Sequence, residues 1–286
     1  MALWSHLLRQ YPSQLTILPN TPATSIVTGF EAPFLVRTAQ GEYAAHHVIH
    51  ATNAYVSQLV PSLERRIVPI RAHMTSQRPG SLFPGSSGDR SWSVIYRGAF
   101  DYVTQRPSPG GNGDLLIGGG WSRSPSGGAD TIDVVDDNEV EPSTIRYLEG
   151  VFPKLFEPNW GDGGRMDMAW SGIICVTPDG LPFVGRLPGS EDPEIAPGGE
   201  RHGPAEWVSA GYNGEGMVFA FLSGAALAAL VAGKENEELP SRPGIPGGKV
   251  SEWFPHELYV SSERLRREVR RDPEGVWSCS AGLSES

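Results

Sequence analysis

The sequence has little cysteine, no long unbroken apolar run and no glycine-rich dinucleotide fingerprint, and each scarcity removes a class of protein. Two cysteines, Cys175 and Cys279, cannot make a disulfide framework, so a reducing compartment, the cytoplasm, is expected. The longest apolar stretch, Met217–Ala232, runs for 16 residues and is broken by Ser223 and Gly224. That is short of the ~20 residues a helix needs to span a bilayer. The opening residues, Met-Ala-Leu-Trp-Ser-His-Leu-Leu-Arg, are too weakly apolar for a signal peptide, and the closing Leu-Ser-Glu-Ser is no ER or peroxisomal address. Positive charge is in deficit, 23 Lys and Arg against 33 Asp and Glu, which argues against a nucleic-acid or anionic-membrane partner. No catalytic-triad or zinc spacing occurs. His46, His47 and His50 lie in one apparent strand without Cys or acidic companions and read as structural. The acidic run from Asp133 to Glu141 lacks the ligand spacing and central glycine of an EF-hand.

Glycine and proline are plentiful, 35 and 25 of 286 residues, which favours many turns in one large domain or two modest ones. A short helix is expected over Ala2–Arg9. Strands are expected over Gln14–Leu18, Ala23–Thr28, Phe34–Thr38 and Tyr43–His50, as a small meander. Ile67–Met74, Trp92–Tyr96, Asp101–Gln105 and Leu115–Gly119 read as a second sheet. Glu141-Pro142-Ser143 opens a helix whose Ile145, Leu148, Phe152, Leu155 and Phe156 share a face. Near the end, five arginines between 264 and 271 surround only Leu265 and Val269, the composition of a solvated helix.

One stretch has the layout of a ligand site. Trp207–Ala210 reads as a buried strand, glycines follow at 211, 214 and 216, and a helix begins at Met217. Strand, glycine turn and helix place backbone N–H groups and a helix N-terminus against an anion. A tight structural βα turn fits the same residues. Gly216, Ala220, Gly224, Ala228 and Ala232 recur at intervals of four and form a stripe of small side chains that lets another backbone come close. Arg71, Arg97 and Arg165 are candidates for pairing with a carboxylate. Tyr96, Tyr102 and Trp121 either line an apolar pocket or pack the second sheet.

Four motifs, in order, resemble the D-amino-acid oxidase/sarcosine oxidase family of FAD-dependent oxidoreductases. They are Val48-Ile-His-Ala-Thr-Asn-Ala-Tyr55, Ile67-Val-Pro-Ile-Arg71, Trp170-Ser-Gly-Ile-Ile-Cys-Val-Thr-Pro-Asp-Gly-Leu-Pro-Phe-Val-Gly185 and Ala210-Gly-Tyr-Asn-Gly-Glu-Gly-Met217. The resemblance covers residues 1 to 234. It implies a mixed α/β fold, a partial Rossmann-like FAD-binding domain interrupted by a β-rich substrate domain. The corresponding segments are 1–66 and 166–234 for FAD, 67–165 for substrate, and 235–286 as a tail. It further implies non-covalent FAD held by Ala51, Thr52, Asn53, Gly172, Gly211, Tyr212, Asn213, Gly214, Gly216 and Met217, with Thr177-Pro-Asp-Gly180 holding the glycine turn in register. The implied reaction is hydride removal from a C–N bond of an amine or amino acid. An inactive member of the family that binds a partner is the alternative.

Three departures from the family pattern bear on function. The N-terminal Gly-x-Gly-x-x-Gly of the ADP site is absent, so the chain reads as an N-terminally truncated or degenerate member with exposed apolar surface and open sheet edges. Ile174 stands where many relatives carry a carboxylate-binding Arg, which leaves Arg71, Tyr96 and Arg97 as substrate candidates. Gly172 stands where some relatives attach flavin through Cys, and Cys175 is out of that register.

Overall fold

A computed structural model describes residues 2–29, 32–84, 90–96, 99–107, 113–189, 203–271 and 277–278. After the helix α1 (Ala2–Gln10) come β1 (Ala23–Thr28), β2 (Phe34–Thr38), β3 (Gly41–Ala45) and β4 (His47–His50). Next are β5 (Val68–Arg78), β6 (Ser91–Tyr96), β7 (Ala99–Gln105), β8 (Leu115–Gly118), the helix α2 (Pro142–Leu155) and β9 (Arg165–Val176). β10 (Phe183–Arg186), β11 (Ala205–Ala210), α3 (Gly216–Val231), α4 (Val250–Trp253) and α5 (Ser262–Arg266) follow, and a two-stranded ribbon of β12 (Arg270–Arg271) and β13 (Trp277–Ser278) comes last among the described residues.

Three sheets carry the architecture. β1, β2 and β3 form an antiparallel meander, and β10-β11-β4 form a second sheet in which β11 and β4 run parallel. The third, β6-β7-β8-β5-β9, is antiparallel throughout. Two expectations need correction. Gln14–Leu18 is not a strand, because Gln14 and Leu15 donate their N–H groups back to the Tyr11 carbonyl in a turn. Tyr43–His50 is not one strand: the chain leaves the meander at His46 and enters the second sheet. β9 pairs with β5 along its whole length, within the five-stranded sheet.

α2 starts where Pro142 fixes the first turn and the Glu141 carboxylate accepts the Ser143 and Thr144 N–H groups at 3.0 and 2.5 Å. Burial pushes this carboxyl up, but the hydrogen bonds from Ser143 and Thr144 outweigh it and hold the pKa at about 2. Leu148, Val151 and Phe152 then bury against Val103, Leu115 and Ile117 of the sheet, at roughly 1.5–3 kcal/mol for each large side chain.

α3 is apolar all round, yet only one side is covered. Ser223, Ala226, Leu227 and Ala229 are buried, and Ala226, Leu227 and Ala229 pack with Val184, Ala205 and Trp207. Met217, Val218, Ala220, Phe221, Gly224 and Ala228 are exposed, so the small-residue stripe faces solvent. β4, at the end of its sheet, has an open outer edge among the described residues. No helix among them is long and apolar enough to cross a membrane.

The expected solvated arginine helix is also corrected. α5 ends at Arg266, and Arg264 is buried. Its guanidinium donates to both Asp179 oxygens at 2.7 and 3.0 Å and to the carbonyls of Leu181, Pro182, Leu258 and Tyr259. It also lies 4.1 Å from the centre of the Phe183 ring. Tyr259 and Val260 dock beside β10 through the Val260 N–H to Val184 carbonyl bond, so residues 250–264 are built into the second sheet's core rather than trailing from it. Burial raises the Asp179 carboxyl, but hydrogen bonds and charge from Arg264 hold it below its ordinary value. Removing Arg264 strands that carboxylate. Arg264→Ala is therefore expected to lose about 3–5 kcal/mol in urea denaturation. In the wild-type protein this contribution is present above the unfolded carboxyl pKa of about 3.9 and lost as pH falls through the lower folded value.

Candidate functional site

Because β4 and β11 are parallel, their carboxyl ends lie on one edge of the sheet, where open α/β sheets bind ligands. The two loops leaving that edge are Ala51-Thr52-Asn53 and Gly211–Glu215. Ala51 and Thr52 are exposed. Asn53, at φ 48°, turns its side chain under the second loop, and its Oδ1 accepts the N–H groups of Gly211 at 3.0 Å and Tyr212 at 3.2 Å. The same oxygen accepts the Cys175 thiol from β9 at 3.3 Å. Asn is among the few side chains that adopt this left-handed backbone readily.

The second loop is shaped from its other side by Thr177. Gly211, at φ +86°, has no room for a side chain: a Cβ there falls 2.8 Å from Thr177 Cγ2. Asn213 accepts the Thr177 N–H at 2.8 Å through Oδ1 and donates from Nδ2 to the Gly211 carbonyl at 2.7 Å. Thr177 Oγ1 donates to the Leu181 carbonyl at 3.0 Å, and Asp179 accepts the Leu181 N–H at 3.2 Å, so the Thr177–Leu181 turn is tied both to Asn213 and to Arg264.

These bonds fix the inner side of the loop. The Gly211 and Tyr212 N–H groups point inward to Asn53, and the buried Cys175 sulfur lies against the Gly211, Tyr212 and Asn213 amides. Burial pushes the Cys175 thiol up despite those amides. The Gly211 and Tyr212 N–H groups are thus taken up inside the protein. The loop then passes through Gly214 and Glu215 into α3, where Gly216 and Met217 precede the first N–H that bonds back, that of Val218 to the Glu215 carbonyl. Around the start of α3 there is space: a Cβ on Gly216 meets only Tyr212 Cβ at 3.9 Å, and one on Gly172, in β9, meets nothing within 4 Å.

Beside the turn a cavity of about 320 Å³ opens over β5, β7 and β9. Its wall touches the turn at Ile174, whose Cδ1 is 4.0 Å from the place of a Cβ on Gly214. Arg71 and His73, two apart on β5, line it together with Phe100, Tyr102 and Trp121. His73 accepts the Glu141 N–H through Nε2 at 3.0 Å, and burial followed by the charge of Arg71 lowers its pKa. Sequence reasoning missed His73, although its i, i+2 spacing from Arg71 on a strand puts both on one face.

Tyr96 goes elsewhere. Its hydroxyl donates to the buried Asp101 at 3.0 Å, and the Arg123 guanidinium lies 4.8 Å from its ring centre, outside the cavity wall. Arg165 pairs on the surface with Asp167 at 2.8 Å. Arg97 and Cys279 lie outside the described residues. The strand histidines have structural partners: His50 meets Glu206 at 2.7 Å, and His47 accepts the Trp207 indole N–H at 3.2 Å.

The family described as FAD dependent oxidoreductase (DAO) matches residues 8–230. The chain belongs to that family. Among similar proteins, the gamma-glutamylputrescine oxidoreductase of Escherichia coli is 27% identical over 225 residues, which are 76% of this chain and 45% of the relative. A glycine oxidase of Pseudomonas putida is 23% identical over 257 residues, 85% of this chain and 59% of the relative. Of solved structures, the iminodiacetate oxidase of Chelativorans sp. BNC1 superposes with a TM-score of 0.55 at 17% identity, covering 85% of this chain and 57% of that one. The chain thus spans about half the length of the relatives it matches, and it shares a mixed α/β fold with the iminodiacetate oxidase.

If Asn53 holds the loop, Asn53→Ala orphans two buried N–H groups and loosens the lid over Cys175. The expected result is roughly tenfold faster alkylation at the Cys175 peptide, read by mass spectrometry, with about 1–3 kcal/mol lost from stability. An unchanged Cys175 rate contradicts the assigned role.

Proposed function

We propose that this chain contributes the ring-facing side of an FAD site and the substrate cavity of an oxidoreductase that acts on the C–N bond of an amine or amino acid. The observation that carries the reading is adjacency: the open N-terminal end of α3 and the cavity over β5 and β9 meet at Gly214 and Ile174. When bound, FAD supplies a two-electron acceptor for hydride from the carbon next to nitrogen. The protein's part is to orient the substrate and to stabilise charge on the cofactor. Gly214, Gly216 and Met217 would do the second with backbone N–H groups and the positive end of a 16-residue helix. Ala51 and Thr52, exposed at the end of β4, and Gly172, open on β9, would complete the surface, with Gly211, Tyr212, Asn213 and Asn53 as its inner frame.

The donor set fits such a group: an amide-lined helix end, small residues with free space and an apolar cavity alongside. Cys175 is buried beneath the loop with its thiol engaged, which supports non-covalent binding. Residues 1–66 and 166–234 are the proposed FAD segments and 67–165 the substrate segment, with β9 shared between them. No observation favours the alternative of a non-catalytic binding protein, since Arg264, at the head of the arginine-rich segment behind it, is a buried structural cation.

Purified chain incubated with FAD and gel-filtered is expected to retain flavin that bleaches anaerobically when a small amine or amino acid is added. Gly216→Val, at a position where a Cβ meets only Tyr212 Cβ at 3.9 Å, is expected to weaken FAD retention at least about tenfold, equivalent to ~1.4 kcal/mol. Retained flavin that no amine reduces, or a Gly216→Val variant that binds FAD like wild type, counts against the reading.

A further inference from the structure

The family match ends at residue 230, yet a residue well beyond it completes the cavity beside the glycine turn. Val269 lines that cavity and is buried to 1% exposure. It packs with Val68, Ile70 and Ile132, and Ile174 and Val176 lie against the same cluster. Part of the lining is therefore aliphatic, while Phe100, Tyr102 and Trp121 supply an aromatic part. Val68, Ile70, Ile174 and Val176 stand on the paired strands β5 and β9, and Val269 closes this aliphatic part from outside the sheet.

The backbone that carries Val269 is strapped down. The Val269 N–H donates to the Arg65 carbonyl at 2.9 Å, and Arg66 Nε donates to the Leu265 carbonyl at 2.9 Å. Between these two bonds the Glu268 carboxylate meets Arg65 Nε at 3.3 Å and Arg66 Nη2 at 3.2 Å. Arg65 and Arg66 lie just ahead of β5, so the strap is fixed to a strand that itself lines the cavity. A buried side chain on backbone held in this way does not retreat freely from a ligand, and a packed interior responds to a change of even one methylene.

We propose that Val269 is a specificity-determining residue of the cavity, where it sets the length of the apolar group that a substrate places there. The substrate class is then an amine or amino acid with a compact apolar substituent. That it is an amine or amino acid rests on the proposed oxidoreductase reading. The length limit rests on Val269 and the cavity alone.

The test uses neutral apolar probes, which need no flavin. The full chain is titrated with benzene, toluene, ethylbenzene, n-propylbenzene and n-butylbenzene, followed by ligand-observed NMR, in the wild type and in V269A, V269F and V151A. Affinity is expected to rise about fourfold with each added methylene until the group meets Val269, where the rise stops. V269A removes two methyl groups and moves that limit outward by about one or two carbons. V269F moves it inward. V151A truncates a buried valine of α2 that does not line the cavity, and it leaves the limit in place. A residue that only stabilised the fold would change every affinity alike without moving the limit. Circular dichroism melting shows whether V269F is folded, and V269A carries the comparison if it is not. No binding of any probe, the same limit in V269A and wild type, or an equal shift in V151A each overturns the proposal. Anaerobic bleaching of added FAD by benzylamine, 2-phenylethylamine and 3-phenylpropylamine is measured in parallel. A limit that moves in V269A while no amine bleaches flavin removes the oxidoreductase reading and leaves the role of Val269 standing. Bleaching with an unmoved limit does the reverse.

Discussion

One buried cation, Arg264, joins the end of the chain to the loop that shapes the candidate site. A guanidinium can satisfy its donors only where several acceptors converge in its plane. Here they come from both the Asp179–Pro182 turn and the Leu258–Tyr259 segment, so the pair fixes two stretches of chain relative to each other. An ion pair of this kind adds little net stability over a well-packed apolar substitute, but removing one partner is severe. Its effect is therefore positional. It sets where Thr177 stands, and Thr177 sets Asn213.

From there the constraint passes through short bonds to the glycine loop. Asn213 is held by Thr177, Gly211 is packed against Thr177, and Asn53 reaches across from the other strand end to take the Gly211 and Tyr212 amides. Each link uses a residue suited to it: asparagines at left-handed backbone positions, and a glycine where a Cβ would collide. The outcome is a loop whose inner amides are held by Asn53 and whose far end leads into α3 beside Ile174 of the cavity wall.

Much of this arrangement was legible in the sequence. Strand periodicity located β5, β7 and β8, the Glu141-Pro142 start located α2, and the four ordered motifs pointed to the DAO family. What was hidden depends on partners far along the chain. Arg264 sits among arginines that look solvated, and only Asp179, 85 residues away, explains its burial. Tyr96 carries the composition of a pocket residue, but Asp101 captures its hydroxyl. The break at His46 depends on β11, which pairs with β4 from about 160 residues downstream. Gln14–Leu18 was misread because turn bonds to Tyr11 leave no trace in alternation. The inward direction of the Gly211 and Tyr212 amides likewise follows from Asn53, a contact that spacing does not encode.

We propose that the loop has one structural side and one side that faces the cofactor. Residue-resolved amide hydrogen exchange with and without FAD addresses it directly. The amides of Gly211 and Tyr212 should be protected in both states, and those of Gly214, Gly216 and Met217 should become protected only when FAD is added. Rapid exchange at Gly211 and Tyr212 without FAD, or no gain of protection at the three outer amides with it, would contradict the account.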